Sequence, residues 1–277
     1  VPRPGSTHLD EPRGVRWLLV AAATAFLLAF LLVPLAVVFA NAFRDGVGVW
    51  AAALAEPNAR AAIRLTLTVA AIVVPLNLAY GLAAAWAVAK YRFRGRHLLV
   101  TLIDLPFSVS PVISGMVFVL LFGAHGILGP WLIAHDVRIV FALPGIALAT
   151  LFVTSPIVAR ELIPLMEAQG SEEERAAMTL GAGPWRTFLY VSLPKIRWAL
   201  VYGTILCAAR SMGEFGAVSV VSGHVRGRTV TLPLHVEILY NEYAFTAAFA
   251  AASLLTFVAL GTLAAEGLLA WRRVRAG

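Results

Sequence analysis

Charge is scarce in this sequence. Asp, Glu, Lys and Arg make up only 13% of its 277 residues, against about 25% in a soluble domain. Hydrophobic residues reach 60% and the mean hydropathy is +0.83. That balance excludes an ordinary soluble enzyme and leaves little chain for extramembrane domains. Cysteine is almost absent: Cys207 stands alone in an apolar stretch, so there is no disulfide framework and no cysteine metal site. It is expected to be a small buried hydrophobe. The phosphate-binding pattern G-x-x-x-x-G-K-[ST] is missing, as are H-E-x-x-H and a nucleophile elbow. No catalytic residue and no bound cofactor or metal is therefore expected. There is no internal repeat. The net charge of +7 would point to nucleic acid in a soluble protein; here membrane topology accounts for it, and no nucleic-acid partner is expected.

What the sequence does have is long apolar runs. Six spans are expected, at 17–43, 64–89, 98–122, 139–163, 198–222 and 244–270. Each reaches the roughly 20 residues that cross a bilayer as a helix. The apolar character is continuous rather than alternating, which excludes a strand barrel. The first run exceeds a signal-peptide core of about 7 to 15 residues and reads as a retained helix after a cytoplasmic tail, 1–16. Basic residues orient the bundle. With the N-terminus inside, 15 of the 22 fall on the cytoplasmic side and six outside, with Arg210 within a span. Both termini are then cytoplasmic. Pro34, Pro75, Pro111, Pro144 and Pro156 lie in these runs and imply kinks or packing irregularities.

The segment 167–194, "EAQGSEEERAAMTLGAGPWRTFLYVSLP", connects spans four and five on the cytoplasmic side. Ser171 followed by Glu174 reads as a capping box, and Glu172, Glu173 and Glu174 suit a helix N-terminus. Gly181 offers a left-handed stop. Pro184 suits the start of a second helix, which Pro194 is expected to end. Two short helices on a glycine hinge result, the first showing a small Ala-rich surface to the cytoplasm. This layout resembles the EAA motif of permease subunits of ATP-binding-cassette importers, E-A-A-x3-G-x9-I-x-L-P. Aligned on Gly181, Ala176, Ala177, Leu193 and Pro194 match, Val191 takes the Ile slot, and Arg175 occupies the leading Glu slot with Glu174 just before it. The resemblance covers roughly 60–270. It implies a type I importer permease fold, all-α and membrane-embedded, in which this loop is the coupling element. ATP and Mg would be bound by a separate ATPase chain.

"DLPFSVSPVISGMVFVLLFG" (104–123) and "SMGEFGAVSVVSGHVRGRTVTLPLHVEILYNEY" (211–243) are similar to oxyanion importers, most of all the CysW-type permeases of sulfate/thiosulfate systems. That resemblance implies a CysT-type second permease, two copies of a CysA-type ATPase, and a periplasmic or lipid-anchored sulfate/thiosulfate-binding protein. The cell (inner) membrane is the implied location. A molybdate/tungstate permease is the alternative, and a proton-coupled secondary anion transporter a more distant one. A tetrahedral dianion needs donors and positive potential without a trap. Ser108, Ser110 and Ser114 on span three, and Arg210, Ser211, Gly213 and Glu214 on span five, are candidates for a gate or anion path. Helix packing is the competing role for the serines, and close helix approach is the expected use of the span-five glycines. Arg210 and Glu214, four apart on one face, read either as a structural pair or as a pathway pair. His224, Arg226 and Arg228 in the following outer loop read as a docking surface for the binding protein or as a solvated loop. Asp104 is expected to anchor an ion pair near His97 and Arg96.

Overall fold

The computed structural model describes residues 13–276, with the side chains of Arg13, Glu266 and 269–276 left aside. Most of the expected N-terminal tail, with Arg3, therefore lies outside the described residues, as do the side chains of Arg272, Arg273 and Arg275. Among the described residues the chain is helical and has no strand. The helices are α1 (Arg13–Ala42), α2 (Val47–Ala55), α3 (Pro57–Lys90), α4 (Arg96–Ser108), α5 (Pro111–Phe122), α6 (Gly129–Ala134) and α7 (Leu143–Thr154). They continue with α8 (Pro156–Gln169), α9 (Glu172–Thr179), α10 (Pro184–Thr187), a π-helical turn at Phe188–Ser192, α11 (Leu193–Met212), α12 (Gly216–Val221), α13 (Leu232–Asn241) and α14 (Phe245–Ala276).

Among the described residues, four stretches are long and apolar enough to cross a membrane, Gly14–Ala42, Pro57–Lys90, Leu143–Gln169 and Phe245–Ala265, or five if α4 and α5 together make one broken span. The third of these joins α7 to α8 through Ser155. The run expected as span three is instead two helices, α4 and α5, bent by 103°. Pro111 explains the break: it forces the preceding residue out of the helical region, and Val109 and Ser110 are extended, with ψ of 134° each. The run expected as span five is also interrupted, with α11 ending at Met212 and α12 beginning at Gly216.

α3 is the axis of the bundle. It packs on α8, α11, α7 and α13, and its buried face carries Val69, Val73, Ala85 and Val88. Small residues set the spacing. A Cβ on Gly81 would sit 2.6 Å from Val158 Cβ and 3.0 Å from the Ala159 backbone nitrogen. The backbone nitrogen cannot move aside as a side chain does, so Gly81→Val is expected to destabilise the bundle by about 1–3 kcal/mol. A lowered thermal unfolding midpoint in detergent would record it.

Two large apolar clusters fill most of the interior, beside a smaller third around Val88 and Ile103. One joins Val69, Val73, Ile146, Val153, Val218, Val221 and Leu234. The other, nearer the 170–194 loop, joins Ala85, Val158, Leu162, Met166, Ile196 and Cys207. Between them lies a polar layer. Asn77 Nδ2 donates to Thr154 Oγ1 at 2.6 Å and to Cys207 Sγ at 3.5 Å, and Thr154 donates back to the Thr150 carbonyl at 2.7 Å. Asn77, Thr150 and Thr154 are fully buried, so the layer fixes the register of α3, α7 and α11. α1 stands apart. It packs on α14, with Phe39 and Phe257 ring centroids 5.0 Å apart, and of its described side chains only Ala42, at its end, is buried, as suits a lipid-facing helix.

Candidate functional site

The loop after α8 is built around α9. Gly170 precedes it at φ 64°, and Gly181 follows it at φ 88°. At the C-terminal end, Gly181 N–H donates to the Met178 carbonyl and Ala182 N–H to the Ala177 carbonyl, both at 3.0 Å. This is the Schellman stop that a left-handed glycine permits. The capping box does not form, because Ser171 makes no side-chain cap bond and Glu174 is used elsewhere. Lys90 Nζ, at the end of α3, donates to Glu174 Oε1 at 2.7 Å, and Ser192 Oγ donates to the same oxygen at 3.1 Å. Burial opposes ionisation of Glu174 more than any other single influence. The Lys90 hydrogen bond, its own backbone N–H, the Lys90 charge and Ser192 together outweigh it and hold the carboxyl below the usual glutamate range.

A carboxyl with a depressed folded pKa contributes stability above its unfolded pKa, and that stability is lost as the pH falls through the folded value. Amide-exchange protection of residues 172–180 is therefore expected to hold from neutral pH down to the ordinary glutamate range and to fall only below it.

Pro194 does not end a helix. The π turn carries the chain from α10 directly into α11, with Pro194 in its first turn. A proline lacks the N–H and crowds the carbonyl four residues back, and the widened π turn accommodates it. The exposed side of this region is apolar. Leu180 is 88% exposed, Trp185 74% and Met178 50%, with Leu189 and Tyr190 also outside. Arg175 and Ala176 are exposed and Ala177 half-buried. Arg175, in the slot where the motif has Glu, therefore faces outward, while Glu174 faces the bundle.

The two interrupted helices meet at their interruptions. A Cβ on Gly216, the first residue of α12, would lie 2.9 Å from Pro111 Cβ, and one on Gly115 would lie 2.7 Å from the Ala217 carbonyl oxygen. These two glycines bring α5 and α12 together. Gly213 does not share that role: a Cβ there meets nothing closer than 3.6 Å. Arg210 Nη1 lies 2.5 Å from Glu214 Oε2, and Glu214 Oε1 accepts the Ala217 N–H at 3.0 Å. The Glu214 side chain is 1% exposed and that of Arg210 41%. Glu214 thus ties the end of α11 to the start of α12, and Arg210 keeps part of its guanidinium open.

The serines divide. Ser114 and Ser211 are buried, and their hydroxyls donate to the Ser110 and Ala208 carbonyls at 3.2 and 2.9 Å. Both hydroxyl protons are thus spent within their own helices. Ser108 and Ser110 are exposed at the bend between α4 and α5.

At the opposite end from the 170–194 loop, His224 Nε2 lies 3.6 Å from Glu237 Oε2, and Arg226 pairs with Glu242. His224, Arg226 and Arg228 are exposed, but Arg226 is already paired with the chain's own Glu242. Asp104 does anchor an ion pair, with Arg160 on α8 at 2.7 Å; Arg96 pairs with Glu167 instead. Sequence reasoning missed Lys90, Ser192 and Asn77. Lys90 and Ser192 are 84 and 18 residues from Glu174, and no spacing rule links them. Asn77 could have been found as the one amide inside the apolar run 64–89.

An all-helical bundle with interrupted spans and a helical loop braced at one end is the architecture of an importer permease. Residues 77–272 match the family described as "Binding-protein-dependent transport system inner membrane component", and the chain belongs to it. The sulfate transport system permease protein CysW of Escherichia coli K12 is 48% identical over 257 residues, covering 93% of this chain and 88% of that one. The CysW protein of Synechocystis is 48% identical over 265 residues, covering 96% of both. The sulfate transport system permease protein CysT of E. coli K12 is 38% identical over 216 residues, covering 76% of this chain and 78% of that one. Among solved structures, a bacterial alginate ABC transporter in complex with its alginate-loaded periplasmic protein matches with a TM-score of 0.76. It has 16% identity and covers 94% of this chain and 96% of that one, a likeness of fold.

Proposed function

We propose that this chain is a membrane-spanning permease subunit of an ATP-driven importer that moves sulfate or thiosulfate inward. The observation that carries this reading is the 48% identity, over 93 to 96% of the chain, to proteins named as sulfate transport permeases. On this reading the chain has six spans, counting α4 with α5 and α11 with α12 as one broken span each. Both termini and the 167–194 loop are then cytoplasmic, in the bacterial inner membrane.

The chain has no phosphate loop of its own, so hydrolysis belongs to a partner. Two copies of a CysA-type ATPase bind ATP and Mg, and a CysT-type permease completes the membrane pair. A periplasmic or lipid-anchored binding protein delivers the anion to the end carrying His224, Arg226 and Arg228. Nucleotide closure of the ATPases moves the coupling loop, in which Glu174, Arg175, Ala176, Ala177, Gly181 and Pro194 lie, and the spans open outward. Hydrolysis returns them inward. The anion passes the junction of the interrupted helices, where Arg210, Ser108 and Ser110 offer donors. Glu214 lowers the net charge there, so that the anion is attracted without being trapped.

Reconstitution tests this. Vesicles holding this chain with its partners are expected to accumulate labelled sulfate only with ATP and loaded binding protein, and thiosulfate is expected to compete. Uptake blocked by low molybdate and indifferent to thiosulfate would assign the other oxyanion group.

A further inference from the structure

We propose that Lys90 is a positioning residue that aims α9, and that its ion pair with Glu174 is the joint through which a push on α9 reaches α3. This rests on reading 171–194 as the ATPase-contacting loop. Both covalent connections of α9 are glycine joints. Gly170 and Gly181 have left-handed φ, and nothing lies within 4 Å of where a Cβ would stand on either. Such joints let the helix swing. What holds it must then be side chains, and of its eight residues only Glu174 is buried.

The side chains of Lys90 and Glu174 are 10% and 9% exposed. Lys90 Nζ also donates to the Gly170 carbonyl at 2.5 Å, so one ammonium clamps both the hinge and the helix. The second brace, Lys195 with Glu173, has its carboxylate 64% exposed and is screened by solvent. Direction therefore comes chiefly from the buried carboxylate. Lys90 is the last residue of α3, about 50 Å of continuous helix that carries Asn77 in the polar layer and Gly81 at the α8 contact. A displacement of α9 is delivered to that helix end-on, and Ser192 delivers a share to the π turn ahead of α11.

The test uses the complete reconstituted complex and reads ATP hydrolysed per sulfate imported, with the amount of ATPase subunit retained. Lys90→Gln is expected to keep the ATPase subunit and to hydrolyse ATP within about twofold of the native complex. Sulfate uptake should fall at least tenfold. Lys90→Arg should restore at least half of it, and the swap Lys90→Glu with Glu174→Lys should recover uptake above the level of either single change. A Lys90→Gln complex with native stoichiometry overturns the proposal. So does loss of the ATPase subunit that neither Lys90→Arg nor the swap repairs, since that marks a contact of folding alone. If the native complex binds the ATPase without involving Leu180 or Trp185, the reading of the loop itself fails, and that result is separate from any Lys90 outcome.

Discussion

Arg210→Ala is expected to lose assembly, and the pair Arg210→Gln with Glu214→Gln is expected to recover assembly while sulfate uptake stays at least tenfold down. The asymmetry of burial gives the reason. Glu214 is 1% exposed at the side chain and Arg210 41%. Removing arginine alone leaves a carboxylate without its counter-charge, at a cost of about 3–5 kcal/mol. Removing both charges avoids that cost. The amide oxygen introduced by Glu214→Gln can still accept the Ala217 N–H, the bond that Glu214 Oε1 makes at 3.0 Å. Assembly in the pair then separates the two roles of Arg210. Its structural role ends with Glu214. On the proposed path, its open guanidinium beside the junction of the interrupted helices is what the anion loses. Native uptake by the pair would make Arg210 a structural residue only.

Leu180→Glu with Trp185→Ala is expected to release the ATPase subunit without unfolding the permease. Leu180 is 88% exposed and Trp185 74%, so the fold should change by no more than about 0.5 kcal/mol. A large apolar side chain held in water at a loop tip points to a partner surface. Truncating an aromatic anchor at such an interface costs about 2 kcal/mol or more, which is close to thirtyfold in affinity. A charge placed beside it in an apolar groove adds to that. Titration of the purified permease pair with the ATPase subunit checks this, with the thermal midpoint of the permease as the control for folding.

Much of this was legible from residue order. The apolar runs, the glycine stop at Gly181 and the facing of Arg210 with Glu214 all follow from local rules of periodicity and backbone geometry. Where local rules competed with tertiary contacts, they lost. Ser171 and Glu174 have capping-box spacing, yet Glu174 is drawn to Lys90 and Ser192, because a buried ammonium binds a carboxylate more strongly than an exposed backbone amide does. Pro194 has the character of a terminator, yet the π turn carries the helix past it. Pro111 marked a kink but not its size, 103°, nor the packing of α12 against the bend. The serines looked alike in sequence. Only burial separates Ser114 and Ser211, which bond their own helices, from Ser108 and Ser110, which stand open.

On the proposed reading the chain carries the anion path and receives its energy from another chain through the 167–194 loop, so uptake must depend on that other chain. The deciding measurement is labelled sulfate uptake into vesicles, with and without the ATPase subunit and under an imposed proton gradient. Uptake is expected to require the ATPase, ATP and loaded binding protein, and to survive an uncoupler. Uptake by the permease subunits alone, driven by the proton gradient and abolished by an uncoupler, would overturn this view of the chain.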